Sequence, residues 1–171
     1  MIYKTLEQAA IAGLTEAVRL SRASGEEWEY GGFVYLARKD RYAFTPPKTS
    51  QSSEKSGAEE IADLKKRLGI EIEPGSEETV KALQAAGVVA HFHTHPCKKG
   101  SVRASFSAAD IAMSYIGLGF EREYLSDTCT GIVYRSPDLK PDELLRATLY
   151  SFAGIGGFTG FKGVPIGKVD L

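Results

Sequence analysis

The chain has 171 residues and a mass of 18.5 kDa, enough for one domain whose core can hold a rigid site. Its 21 basic and 22 acidic residues, pI near 6.3 and mean hydropathy of -0.18 leave no electrostatic footprint for nucleic acid or an anionic membrane. The start, "MIYKTLEQAAIAGLTEAVRL", carries acids and small residues at helical spacing, and no apolar run approaches the roughly 18 residues of a membrane span. Neither a signal peptide nor a transmembrane helix is therefore expected, and the location is expected to be cytoplasmic, or outside the cell by a route without a conventional signal peptide. The two cysteines, Cys97 and Cys129, make neither a disulfide framework nor a CxxC metal site, which predicts free thiols and a reducing compartment.

In chain order the first element is a helix. Leu6, Ala10, Leu14, Ala17 and Val18 recur at three- and four-residue intervals behind a Thr5-x-x-Gln8 capping box, and the pattern stops at Gly25. A hairpin follows: Tyr30, Phe33, Val34, Tyr35 and Leu36 lead to a polar turn at Arg38 to Asp40, after which Tyr42 and Phe44 run into Pro46 and Pro47. The stretch "KTSQSSEKSG" (48–57) reads as a mobile loop, and helices are expected over Ala58 to Leu68 and Ser76 to Ala86, so 47–86 is the expected helical insertion. "GVVAHFHTH" (87–95) reads as a strand, "SAADIAMSYIGLG" (107–119) as a helix ending on glycine, "TGIVYRSP" (130–137) as a strand and "KPDELLRATLYSF" (140–152) as the last helix. Residues 153–171 are rich in glycine without a phosphate-loop pattern and read as a flexible or partner-docking tail. The result is one α+β (α/β-like) domain over residues 1–152, a central mixed sheet flanked by helices.

All three histidines, His91, His93 and His95, lie in "HFHTHPC". Strand side chains alternate faces, so these three project to one side, and neutral imidazole nitrogen suits zinc. "SFSAAD" then places Asp110 in the first turn of the next helix, where its carboxylate can reach back across the strand end. The same Ser107-x-x-Asp110 pattern also satisfies a capping box that needs no metal. Both readings stay open on the residues alone. His91 is either a support for a ligand or a packed side chain, and Cys97 is an alternative ligand, a redox switch or a semi-buried thiol.

Together "HTHP" and "SAAD" resemble the H-x-H-P…S-x-x-D signature of the JAMM, or MPN-plus, zinc metalloproteases. "EYGG", with Glu29 after the first helix, resembles the upstream glutamate motif of that family. The resemblance covers roughly residues 26 to 136, and its nearest flavour is the bacterial branch found at the C-termini of Rhs-type polymorphic toxins. It implies a JAMM/MPN-like (cytidine-deaminase-like) architecture, with His93, His95 and Asp110 as Zn2+ ligands and Glu29 as general acid/base. Ser107 is implied as a hydrogen-bonding partner of the reacting groups, with His91, Thr94 and Cys97 around them. The implied activity is hydrolysis of a peptide or isopeptide bond in a protein or peptide substrate. A catalytically inactive protein-binding module and a secreted toxin or effector protease, with a cognate immunity or other partner protein, are the alternatives. The chain departs from the family in a longer spacing from His95 to Ser107, read as an elaborated rim. Lys98, Lys99 and Arg103 on it are either contacts for acidic substrate groups or a solvated basic loop.

Overall fold

The computed structural model describes residues 1–25, 28–49, 57–97 and 104–171. Helix α1 (Leu6–Ala23) enters through the expected box: Thr5 Oγ1 accepts from the Gln8 N–H at 3.1 Å and Gln8 Oε1 accepts from the Thr5 N–H at 3.3 Å. Ala9, Ala10, Leu14, Ala17 and Val18 are fully buried, so the small side chains let this helix lie close on the sheet. Strands β1 (Gly31–Arg38) and β2 (Arg41–Phe44) form the expected hairpin, and Asp40 takes a left-handed φ of 55° at its turn, a conformation Asp tolerates. Helices α2 (Gly57–Leu68) and α3 (Glu77–Ala85), the latter capped by Ser76, stand where the insertion was expected. Most of the polar loop before them, residues 50–56, lies outside the described residues, as do Lys98, Lys99 and Arg103.

Strand β3 (Val88–His95) carries the histidines, and β4 (Ser105–Phe106) precedes α4 (Ala108–Ile111). The helix expected over 107–119 is α-helical only for that turn and continues as a π-helix over Ala112–Gly117, with the Leu118 N–H donating to the Met113 carbonyl at 2.9 Å. The wider turn swings Ser114 inward, and π-turns recur at functional sites. Then come β5 (Glu123–Asp127), β6 (Ile132–Arg135), α5 (Pro141–Phe152), β7 (Phe161–Lys162) and β8 (Val164–Lys168).

The main sheet runs β2-β1-β3-β5-β6-β8, antiparallel throughout except for the parallel pair β3/β5, whose crossover is the α4 segment. Alternation divides it into two faces. Val34, Ala90, Phe92, Tyr124 and Val133 face α1. Phe33, Val88, Leu118 and Phe120 pack with Leu64 and Leu83 of α2 and α3, while Leu125 packs with Ile111 and Ala147 of α4 and α5. The histidines share the face of Phe33 and Leu125, opposite α1.

Two expectations are corrected. Residues 153–171 are not a tail outside the domain: β8 is an edge strand of the main sheet, pairing Ile132 with Lys168 and Arg135 with Val164, and β7 pairs with β4. Pro165 and Gly167 mask it in the sequence, yet an edge strand tolerates both. Strand β5 was not foreseen, because three of the five residues of "EYLSD" are polar although all five are buried, so it reads neither as an apolar run nor as a half-exposed strand.

The Gly31-Gly32 pair has a steric reason. A Cβ on Gly31 would stand 1.8 Å from Glu60 Oε1 and 2.6 Å from the Phe92 carbonyl oxygen, and one on Gly32 would stand 2.8 Å from both Phe92 Cζ and Thr45 Oγ1. Gly31→Ala should therefore displace Glu60 from its place on β1 and destabilise the fold by about 1 to 3 kcal/mol, read from urea unfolding. An unchanged midpoint would show that Glu60 does not occupy this gap.

Candidate metal centre

His93 Nε2 lies 3.0 Å from His95 Nε2 and 3.4 Å from Asp110 Oδ2, and His95 Nε2 lies 3.9 Å from that same oxygen. A tetrahedral ion with ligands at about 2.0 to 2.1 Å separates its ligand atoms by about 3.3 Å, so the three atoms match three corners of such a site. The group meets the geometric requirement for holding a metal ion. Its charge state points the same way. Burial alone would lower the His93 pKa, but the Asp110 and Glu123 carboxylates outweigh burial and hold it well above the usual imidazole range. Burial alone would raise the Asp110 pKa, yet His93, His95 and the Ser107 N–H hold it well below the usual carboxylate range. The cluster gathers positive charge, which a divalent cation supplies as well as protons do.

Asp110 is also a cap. Its Oδ2 accepts from the Ser107 N–H at 3.1 Å, while Ser107 Oγ accepts from the Asp110 N–H at 3.0 Å. The two readings left open on the residues are thus compatible: the box that starts α4 aims the carboxylate at the histidines.

The sequence reading missed two glutamates that hold this row from behind. Glu123, the first residue of β5, pairs in register with His91. Its Oε1 accepts from His91 Nδ1–H at 2.6 Å and His93 Nδ1–H at 2.8 Å, and its Oε2 accepts from the Ser114 hydroxyl. A carboxylate only accepts, so His93 donates Nδ1–H to Glu123 in either charge state, and a metal would have to displace the proton on Nε2, the nitrogen that faces Asp110 and His95. Glu60 of α2, 1% exposed, accepts from His91 Nε2–H at 2.8 Å through Oε1. His91 is thus linked to His93 through Glu123, and its two nitrogens are both engaged. His91, His93 and Glu123 also meet the geometric requirement for a metal ion, but their short contacts are those of complete hydrogen bonds.

Burial opposes the charged form of His91, but the flanking Glu123 and Glu60 carboxylates prevail and raise its pKa to about 10. The folded chain thus keeps a proton that the unfolded chain loses near pH 6.5. Stability from this pair is complete below about pH 6.5 and is lost as pH rises toward about 10. With chelator present, urea midpoints should fall across that window, and Glu60→Gln should flatten the fall; parallel curves would remove Glu60 from the network.

The remaining site residues divide. Glu29 lines a cavity of about 420 Å³ together with His93 and Asp110. Thr94 points away from the histidines: its Oγ1 accepts from the Tyr30 N–H at 3.0 Å and its N–H donates to the Tyr30 carbonyl at 2.9 Å, tying the segment of Glu29 to β3. Ser107 is placed by its capping bonds. Cys97 is not a free thiol, because it is paired with Cys129 at a Cα separation of 5.4 Å, and the expectation of free thiols is corrected. The physical reason is register: β3 and β5 run parallel with His95 beside Asp127, and two further residues bring Cys97 to Cys129. Bound in the disulfide, Cys97 has no thiol to ionise and cannot serve as a thiolate ligand.

Comparison of this chain with family models, with curated proteins and with solved structures returned no match. Among the described residues, no helix is long and apolar enough to cross a membrane.

Proposed function

We propose that the protein is a zinc-dependent hydrolase of the JAMM type that cleaves a peptide or isopeptide bond. The observation that carries this reading is the meeting of His93 Nε2, His95 Nε2 and Asp110 Oδ2, with His93 and Asp110 lining the same cavity as Glu29. A zinc ion held by those three residues would supply Lewis acidity, lowering the pKa of water toward about 7 and polarising a carbonyl. Glu29 takes the proton of the attacking water and returns it to the leaving nitrogen, a role in which a positioned carboxylate contributes about a hundred- to ten-thousand-fold. Ser107 Oγ accepts from the backbone and so keeps its own O–H to donate to a substrate oxygen. Glu123 holds the tautomer of His93, and Thr94 holds the Glu29 segment.

The purified protein should carry close to one zinc, and Glu29→Gln should keep that zinc while lowering the rate on any peptide the wild type cleaves by at least about a hundredfold. Zinc at full stoichiometry in a His93→Ala, His95→Ala double variant would refute the ligand assignment, and full activity of Glu29→Gln would move the base elsewhere. One observation favours the second reading, a binding module without metal: Ser107 and Asp110 already complete a capping box. The Cys97–Cys129 disulfide supports the exported of the two expected locations, since such bonds persist in oxidising compartments.

A further inference from the structure

The cavity beside the candidate metal centre lies between α2 and the α4 segment. Its inner end is built from Phe33, 1% exposed, and Leu118, 2% exposed, and its sides from Ile61 and Met113. Ala58 and Ala109, both exposed, also line it. Polar groups reach it from three places, and two of them are already engaged. Both nitrogens of His91 donate to Glu60 and Glu123, and the Ser114 hydroxyl donates to Glu123. The third is the metal end, with Glu29, His93 and Asp110. Away from that end the only polar side-chain atom left open among the described lining residues is Ser114 Oγ, which can still accept, while Phe33, Ile61, Met113 and Leu118 are apolar, so a charged group placed there would lose most of its hydration without repayment. A large apolar side chain would lose nothing and would cover Met113, 42% exposed, and half-buried Ile61.

From this we infer that the cavity is the specificity pocket of the proposed hydrolase, and that it takes a substrate residue with a large apolar side chain, of leucine, methionine or phenylalanine type, flanking the bond at the metal end. The assignment rests on the hydrolase reading, because the metal end is what orients the substrate. The size suits it: about 420 Å³ accommodates one such side chain with adjoining backbone. Neither α2 nor the π-turn was marked by any sequence motif; the pocket exists because the insertion packs across from the helix that carries Asp110.

The test uses binding, so that no substrate need be known. Zinc-loaded protein is titrated calorimetrically with the N-acetyl hydroxamates of glycine, leucine, phenylalanine, aspartate and lysine, whose shared head group ligates zinc. Leucine and phenylalanine hydroxamates should bind at least about tenfold tighter than the glycine compound, the factor expected from burying a large apolar side chain. Ala58→Trp, at an exposed helix position that does not threaten the fold, should erase that preference and leave the glycine compound unchanged. Equal affinities for all five would overturn the pocket while leaving the metal centre standing. Tightest binding of the lysine or aspartate compound would overturn the apolar assignment. A protein that takes up no zinc overturns the metal reading, and this assignment with it. Retention of the preference in Ala58→Trp would place the apolar contact outside this cavity.

Discussion

Asp110→Asn should lower the melting temperature of the zinc-loaded protein more than that of the chelated protein. Asn still accepts the Ser107 N–H, which in the wild type bonds Asp110 Oδ2 at 3.1 Å, so with chelator the loss is that of a weakened cap, about 1 to 2 kcal/mol, together with the ion pair to His93 at 3.4 Å. With zinc the comparison changes, because a ligand that binds only the folded state stabilises it by mass action. At free zinc about a thousand times the dissociation constant this adds about 4 kcal/mol, and a hundredfold weakening removes about 2.7 kcal/mol of it. In a domain of this size that is roughly 5 to 10 °C. The measurement is a pair of melting curves for wild type and variant, with zinc and with chelator. An equal, small shift in both would leave Asp110 as a cap alone and would sink the metal centre.

Glu123→Ala should be the most damaging single substitution to the fold around the site. Glu123 is fully buried and accepts from His91, His93 and Ser114. Burial would raise its pKa, and His91 and His93 bring it below the usual value. Removing the carboxylate strands three donors in a dry interior and leaves His91 charged beside Glu60 alone. Breaking a buried ionic network in this way costs about 3 to 5 kcal/mol, read from urea unfolding with chelator present. The milder Glu123→Gln should fold, but its amide can accept from only part of the same set, so the His93 tautomer is no longer enforced. Zinc affinity should then fall about 10- to 100-fold, as for other partners that orient a ligand imidazole. A Glu123→Ala protein as stable as wild type would show that the histidine row needs no support from β5.

Much of this architecture is written in local patterns. The capping box at Thr5, the apolar stripe of α1 and the polar turn of the first hairpin each depend on residues within a few positions of one another, and each forms as expected. The histidine row is legible for the same reason, since a strand places residues two apart on one face whatever else it pairs with. The Ser107-x-x-Asp110 box is likewise local, and it forms. The sequence by itself therefore determined which side chains present metal-ligating chemistry, and on which elements they sit.

Tertiary structure alone decided what surrounds them. Glu123 and Cys129 become neighbours of His91 and Cys97 through a single parallel register between β3 and β5, a shift of 32 residues that no local pattern encodes. The strand β5 that delivers Glu123 has no exposed face to leave an alternation, and β8 hides behind Pro165 and Gly167. Glu60 reads in the sequence as one acid in the first turn of an amphipathic helix. It becomes a buried partner of His91 only because Gly31 leaves the space of a missing side chain beneath it. Burial and pairing of such groups are properties of chain segments meeting across the fold, where desolvation makes each carboxylate depend on donors far away in sequence.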